Sequence, residues 1–352
     1  MAKRIPEIDA VRGLALCGLP VVNFGLTVGK KDYPVADSIE AALYNDLFLH
    51  RFVTIFCLLF GLSFGLVLHS AAEHVPRPRL VLVRRLLALL AFGVFQVFLL
   101  DGNLQLVVYA SFGLVVLLPI SYLPRRGMLV AGIVFLLVSL PFLGEGDGQF
   151  VKIPAITAGL LILGATAVEY GIHADPARWG KQIRAAFLIA LPVAIAGNAV
   201  DPDSGTVLGS VVEEFAMLAT STVYVTGLLL LLRTGMRRPM LAALSPLGRM
   251  ALTNFLVQAA AATIFAAVCD IRAWNYAVVT FGFTALFVAV QAILCTYWLR
   301  TFRYGPCEWL WRCATWLTVV PLRRNPVGSS GAVEGIAHRG NEFGAVDPRD
   351  GQ

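Results

Sequence analysis

Asp9 and Arg12 are the first residues with clear chemical potential, because they stand at the start of an apolar run that reaches about residue 29. A carboxylate near the positive end of a helix, paired with an arginine, is a sufficient structural explanation for both. The alternative is an anion site. An arginine guanidinium stays charged and presents a planar fork of donors, which suits phosphate and carboxylate groups.

A second polar segment, GRMALTNFLVQ (248–258), is expected on the same side of the protein as Arg12. If the segment forms one continuous helix, Arg249, Thr253 and Asn254 share a face, and Gln258 lies one turn further. The structural alternative for Arg249 is a charge that only flanks a membrane helix. The segment therefore predicts either a second part of the anion site or a simple helix boundary.

A third polar segment, YGPCEWLWR (304–312), places Glu308 and Arg312 one turn apart. Trp309 and Trp311 bracket this pair, and tryptophan next to charge is typical of a segment anchored at a membrane surface. The alternative is that Arg312 also contributes to the anion site. Both interpretations put the segment near Asp9 and Arg12.

On the opposite side we expect Asn23, His50, Glu213, Glu214 and Asp101. A general base needs a suitable pKa, and His50 is the one histidine expected there, with the two glutamates as alternative bases. A single histidine or glutamate at a membrane surface is also commonly structural. The other histidines fall in loops or the tail and form no ligand pattern, so no metal site is predicted.

These residues belong to a chain whose composition excludes an ordinary soluble domain. Of its 352 residues, 58% are hydrophobic and 14% are charged, and the mean hydropathy is +0.75. A soluble domain carries about 25% charged residues. The six cysteines show no paired spacing and are interpreted as packing residues. The net charge of +6 is better explained by membrane topology than by a nucleic-acid partner.

Apolar runs long enough to cross a bilayer, about 17–25 residues each, define the predicted fold. They fall near 10–29, 51–69, 80–100, 103–122, 128–144, 153–170, 183–200, 210–232, 246–268 and 275–299. The prediction is an all-α polytopic membrane protein with about ten transmembrane helices in one bundle.

The loops between these runs alternate in charge. Arginine and lysine concentrate in every second loop, beginning with Lys3 and Arg4, and the intervening loops are acidic or neutral, as in EGDGQF (145–150) and DPDSG (201–205). Because positive loops stay in the cytoplasm, both termini are predicted to be cytoplasmic.

Two segments are not expected to span the membrane. Residues 37–48 are predicted to form a short amphipathic helix at the outer surface. Residues 324–352 are rich in glycine, proline and charge, which predicts a disordered cytoplasmic tail. The predicted organisation is thus one transmembrane helical bundle over 1–323, followed by this tail.

Several blocks together resemble one family. IDAVRGLALCGLPVVNF (8–24), RFVTIFCLLFGLSFG (51–65), GRMALTNFLVQ and FRYGPCEWLWR occur in this order, and the chain resembles the YeiB-like family of bacterial inner-membrane proteins over about 5–320. That family usually has a Gly-Asp-Ile-Leu element before a Tyr-Ala pair. Here DGNLQLVVYA (101–110) displaces the acidic residue to Asp101.

The YeiB-like family is more distantly similar to transmembrane acyltransferases, namely the acyltransferase-3 group and the lysosomal heparan glucosaminide acetyltransferase. In the first group an arginine is followed eleven residues later by a catalytic histidine, whereas here Arg12 is followed at that distance by Asn23. The heparan enzyme is similar in having an asparagine there and its histidine later, on a non-cytoplasmic stretch. His50 is the loose counterpart.

The resemblance implies an integral-membrane acyltransferase of the bacterial plasma membrane. Acyl-CoA would be a co-substrate rather than a tightly bound cofactor, and its phosphates would meet Arg12, Arg249 and Arg312. His50 would take a proton from the acceptor, and amides such as Asn23 and Asn254 would stabilise an oxyanion. The sequence does not identify the acceptor and leaves a homo-oligomeric assembly open.

The alternative function is a small-molecule transporter or exporter. Buried polar groups and helices interrupted by glycine or proline, such as GLALCGLP (13–20), would then line a substrate path. No internal repeat is visible. A membrane scaffold, in which polar groups only fix helix packing, is the third possibility.

Overall fold

The computed structural model describes residues 5–29, 39–99, 104–140, 149–172, 178–199, 207–268 and 278–324. Asp101 and residues 325–352 of the predicted tail lie outside these ranges. The described residues are almost entirely helical and contain one isolated β-bridge, between Phe302 and Arg323. The helices are α1 (Pro6–Gly29), α2 (Ile39–Leu47), α3 (Arg51–Ala72), α4 (Pro78–Leu99), α5 (Gln105–Phe112), α6 (Leu118–Ile120), α7 (Arg125–Ser139), α8 (Gln149–Glu169), α9 (Gly180–Ala199), α10 (Val207–Leu231), α11 (Arg237–Arg249), α12 (Ala251–Val268), α13 (Thr284–Thr301) and α14 (Pro306–Trp316).

Seven helical segments among the described residues are long and apolar enough to cross a membrane. Each overlaps one of the predicted runs. They are Pro6–Gly25, Leu43–Ala72, Pro78–Phe98, Val151–Glu169, Gly180–Ala199, Leu208–Leu231 and Thr280–Thr301. Large apolar side chains lie exposed on the outside, including Phe98 at 85%. The all-helical, membrane type of fold is therefore confirmed, while the count of about ten spans and the side of the termini stay predictions.

The predicted single helix over 246–268 is wrong, because the chain breaks at Met250. Its backbone (φ −112°, ψ 38°) is not helical, and the segments before and after it meet at 77°. A Cβ on Gly248 would overlap the backbone carbonyl of Asp9, so α11 is held directly against α1. Arg249 consequently ends α11, and it does not share a helix with Thr253 and Asn254.

Close helix contacts elsewhere also rely on glycine. A Cβ on Gly13 would overlap the carbonyl of Leu244, and one on Gly61 would overlap the carbonyl of Leu161. Gly164 meets α3 in the same way. In lipid the hydrophobic effect does not drive helices together, so small residues that let backbones approach contribute much of the packing. These contacts fix α1 against α11 and α3 against α8.

α1 and α3 run antiparallel, which separates two polar regions. Gly18 of α1 packs against Phe52, whereas Arg12 of α1 contacts Ser63. Arg51 and Ser63 are twelve residues apart on α3, or about 18 Å. The space between the two levels holds stacked rings: Phe56 lies 5.5 Å from Tyr109 and 5.9 Å from Phe255.

Candidate functional site

The first polar region begins with Arg12, near the start of α1. Its Nη1 lies 3.5 Å from Oδ1 of Asp9, which is only 5% exposed. Its Nη2 donates to Ser63 Oγ at 2.5 Å, and Ser63 donates to the carbonyl of Leu59. The predicted ion pair therefore exists, and a hydroxyl on α3 orients the guanidinium within it.

Two more arginines share this end of the bundle. The guanidinium of Arg85, on α4, lies 3.6 Å from the ring of Trp311, whose indole N–H donates to the Arg85 carbonyl at 2.8 Å. Arg312 stacks 5.1 Å from the ring of Tyr304. The charges of Arg12 and Arg312 both act on Arg85. We call Arg12, Arg85 and Arg312 the arginine cluster.

The arginine cluster combines concentrated positive charge with flat aromatic surfaces. Guanidinium groups stack favourably on aromatic faces, and each keeps in-plane donors for carboxylate or phosphate oxygens. The cluster draws one arginine from each of α1, α4 and α14. It is therefore suited to a ligand with several negative charges rather than to a single carboxylate.

The side chain of Glu308 accepts hydrogen bonds from Thr253. Both residues were predicted to belong to the anion site. Oε1 of Glu308 accepts from the backbone N–H groups of Leu252 (2.6 Å) and Thr253 (2.9 Å), and Oε2 accepts from the Thr253 hydroxyl at 2.6 Å. Burial raises the pKa of the Glu308 carboxyl, and these hydrogen bonds oppose the rise. Glu308 therefore caps the start of α12, where the break leaves N–H groups without helical partners.

Asn254 and Gln258 form a buried amide network below the break. Asn254 Nδ2 donates to the carbonyl of Leu247 (3.0 Å), and Gln258 Nε2 donates to the carbonyl of Leu16 (3.0 Å) and to Oε1 of Gln291 (2.9 Å). Gln291 in turn donates to the carbonyl of Asn254. The network links α12 to α1, α11 and α13. Arg249 donates to the carbonyl of Arg303 at 3.5 Å.

The second polar region surrounds the start of α3. His50 is exposed and has a left-handed backbone (φ 63°), which is uncommon for a residue other than glycine. Arg51 is only 4% exposed and donates to the carbonyls of Asn45 (2.5 Å) and Leu49 (2.9 Å) and to Asn198 Oδ1 (3.0 Å). Arg51 thereby holds in place the turn between α2 and α3 that contains His50.

Acidic and basic residues meet around His50. Lys152 Nζ lies 3.8 Å from Oε2 of Glu214, and their side chains are 16% and 9% exposed. The charges of Glu213, Arg51 and Lys152 all act on His50. We call His50, Arg51, Lys152, Glu213 and Glu214 the mixed-charge cluster.

Asn23 lies on α1 at the same end as the mixed-charge cluster. The residue before it, Val22, accepts a hydrogen bond from the Tyr44 hydroxyl at 3.2 Å, which ties α1 to α2. Asn23 itself is half-buried. The structure thus brings His50, Glu213 and Glu214 together and places Asn23 beside the same group of helices.

Three residues of these clusters, Arg51, Arg85 and Lys152, were not singled out from the sequence. One signal was available: Arg84 and Arg85 are adjacent, and neighbours on a helix point about 100° apart, so the two side chains face in different directions. Among the described residues, no group of three or more His, Cys, Asp or Glu side chains could hold a metal ion.

Comparison with known proteins gives bacterial relatives. A family described as protein of unknown function (DUF418) matches residues 167–318. The uncharacterized protein YxaH of Bacillus subtilis (strain 168) is 26% identical, over 92% of this chain and 96% of that protein. An uncharacterized 39.9 kDa protein in the amylase 3′ region of Bacillus acidopullulyticus is 29% identical, over 91% and 96%. No solved structure matches. The YeiB-like resemblance stays a prediction.

Proposed function

We propose that this protein is an integral-membrane acyltransferase of the bacterial plasma membrane, with the arginine cluster facing the cytoplasm. One observation carries the proposal: the arginine cluster and a histidine among acidic residues lie at two levels of one bundle, about 18 Å apart. An acyl-CoA has phosphates for the first level and a long arm that carries its thioester away from them. The resemblance to YeiB-like proteins and, more distantly, to transmembrane acyltransferases agrees with this assignment.

In the proposed reaction, a hydroxyl or amine of the acceptor attacks the thioester carbon. His50 removes the proton from this nucleophile, with Glu213 or Glu214 orienting the imidazole or replacing it as base. The new bond joins the acceptor's oxygen or nitrogen to the acyl carbon, and the carbon–sulfur bond breaks. The proton then passes from His50 to the leaving thiolate. Asn23 is the amide proposed to stabilise the oxyanion.

Donor binding is the direct test. The purified full chain is heated in lipid nanodiscs with acetyl-CoA or a longer acyl-CoA, and the unfolding midpoint is followed. A ligand that binds the folded state stabilises it by about 2.7 kcal/mol at one hundred times its Kd. We expect this rise in the wild type and in Arg84→Gln, but not in Arg85→Gln.

Arg84→Gln is the matched control, because it removes the same charge from the adjacent position. Arg12→Lys is the second test of the arginine cluster, since it keeps a positive charge beside Asp9 but loses the planar fork. The proposed donor site is wrong if no acyl-CoA raises the unfolding midpoint of the wild type. It is also wrong if Arg84→Gln and Arg85→Gln lose this rise equally.

A small-molecule transporter is the second candidate, favoured by the broken helix. Helices interrupted within the membrane commonly form substrate sites in transporters, and here α11 and α12 meet at 77° above a buried amide network. A flux assay in proteoliposomes separates the two candidates. Transport of a solute without covalent product, in protein that binds no acyl-CoA, would favour this function.

A further inference from the structure

An open apolar groove of about 450 Å³ lies between α1, α11 and α13. Among the described residues that line it, Cys17 and Thr284 are the two that carry a polar side-chain atom. The amide network and the helix break lie beside the groove. None of the residues that line the groove belongs to the arginine cluster or to the mixed-charge cluster. This groove is therefore a separate feature whose chemistry suits a hydrocarbon occupant.

The groove has a direction. Its lining on α13 and on the π-helical turn before it (Val278–Phe283) runs from Phe281 to Ala292, a rise of about 16 Å. One end is formed by Phe48, which is two residues before His50, so their Cα atoms are at most about 7.6 Å apart. From there the groove runs toward Leu247 and the other end of the bundle. A chain whose polar end lies at the Phe48 end would hold that end beside the mixed-charge cluster.

The groove is continuous with the apolar outer surface. Ala285 and Ala289 line it and are themselves exposed. The neighbouring Leu286 and Ile293 on α13 are 64% and 56% exposed, as expected for side chains that face lipid. Because alanine side chains are small, they leave the groove open on its lipid-facing side, and an acyl chain can enter it laterally from the bilayer.

From these three observations, and resting on the proposed acyltransferase function, we infer that the acceptor is a membrane lipid. Its acyl chain occupies the groove, and its headgroup lies beside His50. The headgroup's hydroxyl or amine is then the nucleophile of the transfer step. It bonds to the acyl carbon as the carbon–sulfur bond breaks, and its proton passes through His50 to the thiolate.

Photocrosslinking tests the occupant. Nanodiscs contain a phosphatidylethanolamine with a diazirine in one acyl chain, and labelled peptides are mapped by mass spectrometry. Ala289→Trp fills the groove, and Val290→Trp, on the adjacent lipid-facing position (46% exposed), is the matched control. We expect labelling concentrated on groove residues of α11 and α13, lost in Ala289→Trp and retained in Val290→Trp.

Two results would overturn the inference. Labelling spread evenly over the outer faces and unchanged in Ala289→Trp would mean ordinary bilayer lipid only. Acyl transfer to a water-soluble acceptor at full rate in Ala289→Trp would mean that the groove does not hold the acceptor. Donor-induced stabilisation, measured on the same samples, separates these failures from failure of the proposed function: it survives if only the lipid acceptor is wrong.

Discussion

The two polar clusters differ in how their charges are balanced. In the arginine cluster, Arg12 pairs with Asp9, and the charges of Arg12 and Arg312 act on Arg85. Glu308 is committed to the start of α12. In the mixed-charge cluster, Arg51 and Lys152 stand among Glu213 and Glu214. The first cluster thus carries an excess of one sign, whereas the second is close to neutral.

This difference indicates different tasks. Desolvated charges of one sign are costly, and an anionic ligand would relieve that cost on binding. Opposite charges that compensate one another hold a position without needing a ligand, and they can set the basicity of a group between them. Within the proposed acyltransferase function, we therefore propose anion binding for the arginine cluster and proton transfer for the mixed-charge cluster. The following predictions test this division in order of expected effect.

The largest effect is expected from His50→Asn. Asparagine tolerates the left-handed backbone that His50 adopts, so the fold is kept while the imidazole base is lost. We expect acyl transfer to fall by about 10²–10⁴-fold, with donor-induced stabilisation unchanged. The assay measures the acyl product by mass spectrometry, with His69→Asn as control because His69 is on the exposed end of α3.

An equal loss of donor binding in His50→Asn would break the division between the two clusters. Full activity in this variant would remove His50 from the reaction. Glu213→Gln and Glu214→Gln then become the variants to measure, since these carboxylates are the alternative bases.

The second effect concerns stability. Lys152→Met removes the partner of a nearly buried carboxylate, Glu214, and breaking one side of such a pair costs about 3 kcal/mol. Adding Glu214→Gln should restore most of this loss, because no charge is then left unpaired. Denaturant unfolding in detergent measures both variants. If Lys152→Met alone is as stable as the wild type, the ion pair between Lys152 and Glu214 contributes nothing to the stability of the protein.

Much of the fold was accessible from sequence because lipid imposes a simple rule. A spanning helix must be long and apolar, and each of the seven such segments in the described part of the chain overlaps a predicted run. The break at Met250 was not accessible in this way. It depends on Gly248 meeting the backbone of Asp9 and on Glu308 replacing lost helical hydrogen bonds, and both contacts join residues distant in sequence.

The candidate site shows the same limit. Asp9 and Arg12 were identified because their separation is local, and their ion pair is present. Arg85 was missed because its role depends on Trp311, 226 residues further along the chain. Asn254 and Gln258 were grouped with the anion site by polarity and by the spacing of one continuous helix, whereas their amides bond to α1, α11 and α13. A polar residue in a membrane helix can thus be recognised from the sequence, but its residue type does not show whether it binds a ligand or fixes helix packing.

The third prediction sharpens the assignment of the arginine cluster. Arg312→Gln removes one of its charges at a half-buried position, and losing one charge-assisted hydrogen bond costs about 1.5 kcal/mol, or roughly tenfold in the donor's Kd. Arg300→Gln is the control, because Arg300 is exposed and stacks on Tyr297 instead. Equal weakening in both variants would indicate only a general attraction to positive charge, and affinity should then fall steeply with added salt.

The smallest effect is a pH dependence of stability that originates at Glu308. Burial raises the pKa of this carboxyl above 4.5 in the folded protein, so the folded state binds its proton more tightly than the unfolded state does. Stability should therefore fall as pH rises from about 4.5 through the folded pKa, and level off above it. Glu308→Gln cannot titrate and should remove this part of the slope, which is followed by measuring the free energy of unfolding across the pH range. If the slope were the same in Glu308→Gln as in the wild type, the titrating group would not be the carboxylate that caps α12.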